Sequence, residues 1–123
     1  MRLLLLLLVL AGPASADEAQ FGRALYRAHC AGCHGLQARG DGWMAKYLTR
    51  RPAQLSVLAQ KNGGAFPRDR VLAYIDGRTQ VALHGTRDMP VWGERMTKTL
   101  VQGEPAAKRR MDALADYLAA IQE

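Results

Sequence analysis

Cysteine is scarce in this chain. Two residues in 123 allow at most one bridge, which excludes a disulfide-dense scaffold. The length itself excludes a large multidomain enzyme and makes one domain the default. Internal repeats are absent, as are low-complexity segments beyond Ala16, an internal linker and a convincing strand ladder. Acidic residues are also in deficit, 11 against 17 lysines and arginines, for a formal charge of +6. That excess leaves nucleic acid, an anionic membrane or an acidic protein open as partners. The hydrophobic fraction of 49% is ordinary, so wholesale disorder is excluded.

Long apolar runs are missing too, with one short exception at the N-terminus. Met1 and Arg2 precede an unbroken apolar run from Leu3 to Leu10, and Ala14-Ser15-Ala16 follows as a small-x-small site. A membrane span needs about 20 apolar residues, more than this run supplies. Charge, run and cleavage pattern stand in the order of a secretory signal. Residues 1–16 therefore read as a signal peptide cleaved after Ala16, and 17–123 as the working domain. In the oxidising compartment this implies, the periplasm, two thiols do not normally remain free.

What consumes them is suggested by Cys30-Ala31-Gly32-Cys33-His34, a C-x-x-C-H pattern of c-type haem attachment. Two thiols one turn apart can each form a thioether, and the adjoining histidine can meet the iron as proximal ligand. The motif arises by chance on the order of once in a thousand chains of this composition. A thioredoxin-like pair would want a βαβ context. A zinc site would need a fourth ligand from His29 or His84. A plain disulfide leaves His34 without a role.

The second axial position has six candidates: Met44, Met89, Met96, Met111, His29 and His84. Met89 is preferred because Pro90 biases it toward an extended backbone on a loop, in Asp88-Met89-Pro90-Val91-Trp92-Gly93. His84, followed by Gly85, is its rival. Met111 falls on an apolar helical stripe, where packing suffices. Met96 lacks a local stop signal, and Met44 lies close to His34 among glycines.

Around these residues the chain reads as helices joined by long loops. Phe21, Ala24, Leu25 and Ala28 recur at helical spacing and deliver Cys30. Gly35 to Gly42 is loop, and Ala45 to Leu48 forms a turn ended at Arg51-Pro52. Ser56 is expected to cap a helix over Val57 to Lys61, closed by Asn62-Gly63-Gly64. Pro67 opens a further helix with Val71, Leu72 and Ile75 inward and Gly77 as its stop. The last helix carries Pro105 in its first turn and a stripe of Ala107, Met111, Leu114, Leu118 and Ile121. The stretch from Glu94 to Glu104 has no assignment.

The attachment motif near the start of the domain and the methionine on a later loop resemble class I c-type cytochromes, specifically small exported bacterial monohaem ones. Gly22 and Tyr26, eight and four residues before Cys30, match that family's first helix. Leu114 and Tyr117 match the last helix that crosses it. The segment from Asn62-Gly63-Gly64 to Met89-Pro90-Val91-Trp92-Gly93 is similar to members with an M-P-x-W-G loop. Cytochromes of the four-helix-bundle type carry the motif near the C-terminus, so the likeness is not to them.

The resemblance implies an all-α cytochrome c-like fold wrapped around one haem c, held by Cys30 and Cys33, with His34 and Met89 on the iron. It also implies a proline whose carbonyl holds the proximal histidine, for which Pro52 is the nearest candidate. The expected function is one-electron transport rather than enzymatic turnover, with redox proteins, acidic ones included, or a membrane-bound or periplasmic redox complex as partners. Arg39, Lys46, Arg50, Arg51, Arg87, Arg95 and Lys98 flank the expected haem-covering loops. Export disfavours nucleic acid. The alternatives are a haem enzyme or sensor with a labile sixth position, and a subunit of a larger redox enzyme.

Overall fold

A computed structural model describes residues 14–78, 89–98 and 103–123. In chain order these form α1 (Ala14–His29), α2 (Ala31–His34), three single 3-10 turns (Ala45–Tyr47, Leu55–Val57 and Gln60–Asn62), α3 (Arg68–Asp76), α4 (Trp92–Lys98) and α5 (Gly103–Ala120). The described residues contain no strand, and the fold is all-α as expected.

The crossing of α1 and α5 is the frame of the domain. The stripe on α5 buries Ala107, Met111, Leu114 and Leu118, and α1 meets it with Leu25 and Tyr26. Burying each of these larger apolar side chains contributes about 1.5–3 kcal/mol, so this contact outweighs any exposed ion pair nearby. Close approach is possible because residue 22 is glycine: a β-carbon there would collide with the carbonyl oxygen of Ala113. One turn on, the rings of Tyr26 and Tyr117 pack at 5.2 Å between centroids, tilted by 44°. Towards the start of α1, Glu18 pairs with Arg109 at 3.1 Å, and the Arg109 guanidinium lies over the Phe21 ring.

Helices α3 and α4 pack against α5 and each other, burying Val71, Ile75 and Met96. Gly77 ends α3 in the left-handed conformation, as its position in the sequence suggested. The start of the otherwise unassigned 94–104 stretch is α4, and its end is the first turn of α5. Arg78 bridges Asp76 at 2.6 Å and Glu104 at 2.5 Å, tying the end of α3 to the start of α5. The Asp76 carboxylate occupies the space that a side chain at Gly93 would take.

Two local expectations are corrected. Ser56 does not cap a helix over 57–61; it is buried inside the Leu55–Val57 turn, and a second turn over Gln60–Asn62 follows. Beyond the local bonds of these turns, the segment's backbone is tied to distant parts of the chain. Leu55 and Ser56 N–H groups both donate to the carbonyl of Ala38, at 2.7 and 3.2 Å. The C-terminal tail supplies the other ties. The Gln122 side chain accepts from Ala59 N–H at 2.9 Å and donates to the Leu55 carbonyl at 2.8 Å. Glu123 N–H donates to the Ser56 carbonyl at 2.8 Å. Pro67 precedes α3 by one residue rather than opening it, with Arg68 first.

Candidate functional site

The first helix runs to His29, and the Cys30 N–H still donates to the Tyr26 carbonyl at 2.8 Å. Cys30 therefore leaves α1 in helical register, and α2 starts at once with Ala31. His34 N–H closes the turn on the Cys30 carbonyl at 2.9 Å. A four-residue helix leaves its last carbonyls without partners inside the helix. The returning loop fills that need: Met44, Gly42 and Gly40 N–H groups donate to the carbonyls of Gly32, Cys33 and His34, at 2.9, 3.1 and 2.7 Å. Gly42 has to be glycine for this, since a β-carbon would run into the Gly32 and Cys33 backbone. The Tyr26 hydroxyl donates to the Gly35 carbonyl at 2.7 Å, pinning the far side of the same turn.

Cys30 and Cys33 are unbridged and half-buried. Burial pushes the Cys30 thiol up to about 12, with the neighbouring Cys33 adding to the effect. A dithiol redox pair needs its attacking cysteine held low. The environment of Cys30 works the other way.

The ring of His34 is fixed by Nδ1, which lies 2.9 Å from the carbonyl oxygen of Ala53. A carbonyl only accepts, so Nδ1 carries the proton and the lone pair is on Nε2. Burial lowers the imidazole's pKa, with the Ala53 bond opposing it more weakly, and so favours the neutral form that binds metals. The carbonyl is that of Ala53, one residue beyond the expected Pro52. A proline carbonyl is not required; the segment only has to present an oxygen there. The signal for it was indirect, because any residue type presents the same backbone oxygen.

Met89 is half-buried against the hydrophobic core, just ahead of α4. The Trp92 ring at the start of α4 packs against His29 at 5.2 Å between centroids, so this part of the chain lies beside the attachment turn. Met96 is buried within α4 and Met111 within α5, both as core. Met44 stays at the attachment turn, with its sulfur 3.5 Å from where a Gly32 β-carbon would stand. His84 and Arg87 lie outside the described residues. Sequence reasoning missed the Tyr26 hydroxyl, read only as an aromatic, and the Gln122 clamp.

The residues fit a covalently held haem: two unbridged thiols one turn apart, beside a neutral imidazole whose free nitrogen is Nε2. Among the described residues no cluster of three or more His, Cys, Asp or Glu side chains forms a separate metal site. No described helix is long and apolar enough to cross a membrane.

Comparison with known proteins agrees with this chemistry. The family described as "Cytochrome C oxidase, cbb3-type, subunit III" matches residues 17–118. Cytochrome c-554(547) of Halothiobacillus neapolitanus is 42% identical over 50 residues, which cover 39% of this chain and 55% of that protein. The alignment thus spans about half of the curated relative. No solved structure gives a significant match. The chain belongs to the family of cbb3-type cytochrome c domains and is a small c-type cytochrome, with covalently bound haem c as its cofactor.

Proposed function

We propose that this chain is an exported one-electron carrier in which Cys30 and Cys33 hold the haem and His34 and Met89 ligate its iron. The observation that carries the reading is the hydrogen bond from His34 Nδ1 to the Ala53 carbonyl, which fixes the ring and reserves Nε2 for iron. When bound, the haem supplies a one-electron couple. The chain's own part would be to hold His34 and Met89 in place as donors to the iron, so that little reorganises as the charge changes. Support for Met89 is its half-buried place against the core and the packing of nearby Trp92 on His29. A thioether at this position favours the ferrous state relative to an imidazole.

Export to the periplasm rests on residues 1–16. The ion pair, ring packing and close approach that join α1 to α5 begin at Glu18, so cleavage after Ala16 leaves them intact. The family description points to a redox complex as the class of partner.

The ferric absorption spectrum tests the ligation. A low-spin spectrum with the far-red sulfur-to-iron band is expected, lost in Met89→Ala and kept in Met96→Ala and His84→Ala. A high-spin wild-type spectrum without the band would overturn the carrier reading and favour an enzyme or sensor with an open position.

A further inference from the structure

Helix α5 ends at Ala120, and the residues after it turn back onto a distant segment. A glutamine carboxamide has two N–H donors and an acceptor oxygen, and Gln122 uses all of them. Its Oε1 accepts from Ala59 N–H at 2.9 Å. Its Nε2 donates to the Leu55 carbonyl at 2.8 Å and back to the Leu118 carbonyl at 2.7 Å. Leu118 is buried, so the side chain is fixed to the core of α5 while it grips the other segment at two points. Glu123 N–H adds a bond to the Ser56 carbonyl at 2.8 Å.

The segment held in this way begins two residues after Ala53, whose carbonyl fixes the ring of His34. Its opposite side is anchored as well. Leu55 and Ser56 N–H groups donate to the Ala38 carbonyl, and Gly40 lies so close to the Pro52 carbonyl that a β-carbon would run into it. Ala53 therefore lies between two restrained neighbours, Pro52 and Leu55. His34 arrives by another route, from α1 through the turn that follows Cys30. Ring and acceptor oxygen are thus delivered by different helices, α1 and α5, which meet closely at Gly22.

We propose that Gln122 is a positioning residue for the proximal histidine. From the end of α5 it holds the 55–59 segment, and with it the Ala53 carbonyl, against His34 Nδ1. This role rests on the proposed ligation by His34 and is independent of the sixth ligand. A firm bond at Nδ1 makes the imidazole more basic at Nε2, which favours ferric iron. Releasing the carbonyl raises the potential. General loosening that lets water approach the haem also favours the ferric charge, and so lowers it. The sign separates positioning from a loss of packing.

The test compares holoprotein of wild type, Gln122→Met, Gln122→Ala and Arg39→Gln. Both Gln122 variants leave the charge unchanged, and methionine keeps the length of the side chain. Arg39→Gln removes only the exposed pair with Glu123. The readouts are the midpoint potential and the exchange rate of the His34 Nδ1 proton, followed by NMR in the ferrous state. Both Gln122 variants are expected to lower the ferric preference about threefold, a rise of about 28 mV. Exchange of the Nδ1 proton should accelerate about tenfold in them and stay at the wild-type rate in Arg39→Gln. A fall in potential, either readout unchanged in Gln122→Met, or equal acceleration in Arg39→Gln overturns the proposal. A wild type without a protected Nδ1 proton overturns the ligation by His34 together with it. A protected proton in wild type that exchanges no faster in the Gln122 variants overturns the positioning role alone.

Discussion

The Tyr26 hydroxyl donates to the carbonyl of Gly35 across 2.7 Å of buried space, joining the last turn of α1 to the residue after His34. This bond closes the attachment turn against the helix that delivers it. The phenol's pKa is raised, by burial first, so the group remains a donor throughout the working range.

Tyr26→Phe keeps the ring packing on Tyr117 and removes only the donor. The Gly35 carbonyl then keeps only the Ala38 N–H, at 3.1 Å, and the loss of one of its two hydrogen bonds costs about 0.5–1.5 kcal/mol. Urea denaturation of the holoprotein should show a lower midpoint with an unchanged slope. An unchanged midpoint would mean that water replaces the phenol.

Gly22→Val tests the close crossing of α1 and α5. A β-carbon at this position meets the Ala113 carbonyl, which is backbone and cannot swing away. Overpacking of this kind costs about 1–3 kcal/mol. A melting temperature equal to wild type would show that the helices can part at no cost.

Met96→Ala removes a buried thioether from α4 and leaves a cavity. The expected loss is about 2–5 kcal/mol in thermal or urea unfolding. The far-red band of the ferric protein should persist in the folded fraction. Stability and ligation thus separate at this residue, whereas Met89→Ala is expected to change the spectrum.

Gln122→Ala unties the turn that follows Ala53. Ala59 N–H loses its acceptor and the Leu55 carbonyl a donor, in a part-buried setting. Hydrogen exchange should accelerate at Ala59, and stability should fall by about 1–3 kcal/mol. Exchange as slow as in wild type would show that the tail does not hold this segment.

The sequence was legible wherever one short stretch carried the whole signal. The C-x-x-C-H turn is chemistry written in five consecutive residues, and the α5 stripe is periodicity that only a helix can bury on one side. Gly77 ended α3 where a left-handed residue was needed. The 55–62 segment was misread as a capped helix because its backbone partners, Ala38, Gln122 and Glu123, are distant in the chain.

By itself, then, the sequence determined the pair of thiols, the adjoining histidine, the helical frame and the scarcity of anything else that could consume two cysteines. Tertiary structure decided which oxygen holds His34. That oxygen belongs to Ala53 rather than Pro52, because a backbone carbonyl is common to every residue and only folding selects one. Folding also decided which charges are spent on partners, as Arg39 on Glu123, and which stay exposed, as Arg50 and Arg51 do. Pairing is a matter of distance across the fold, and composition carries no distances.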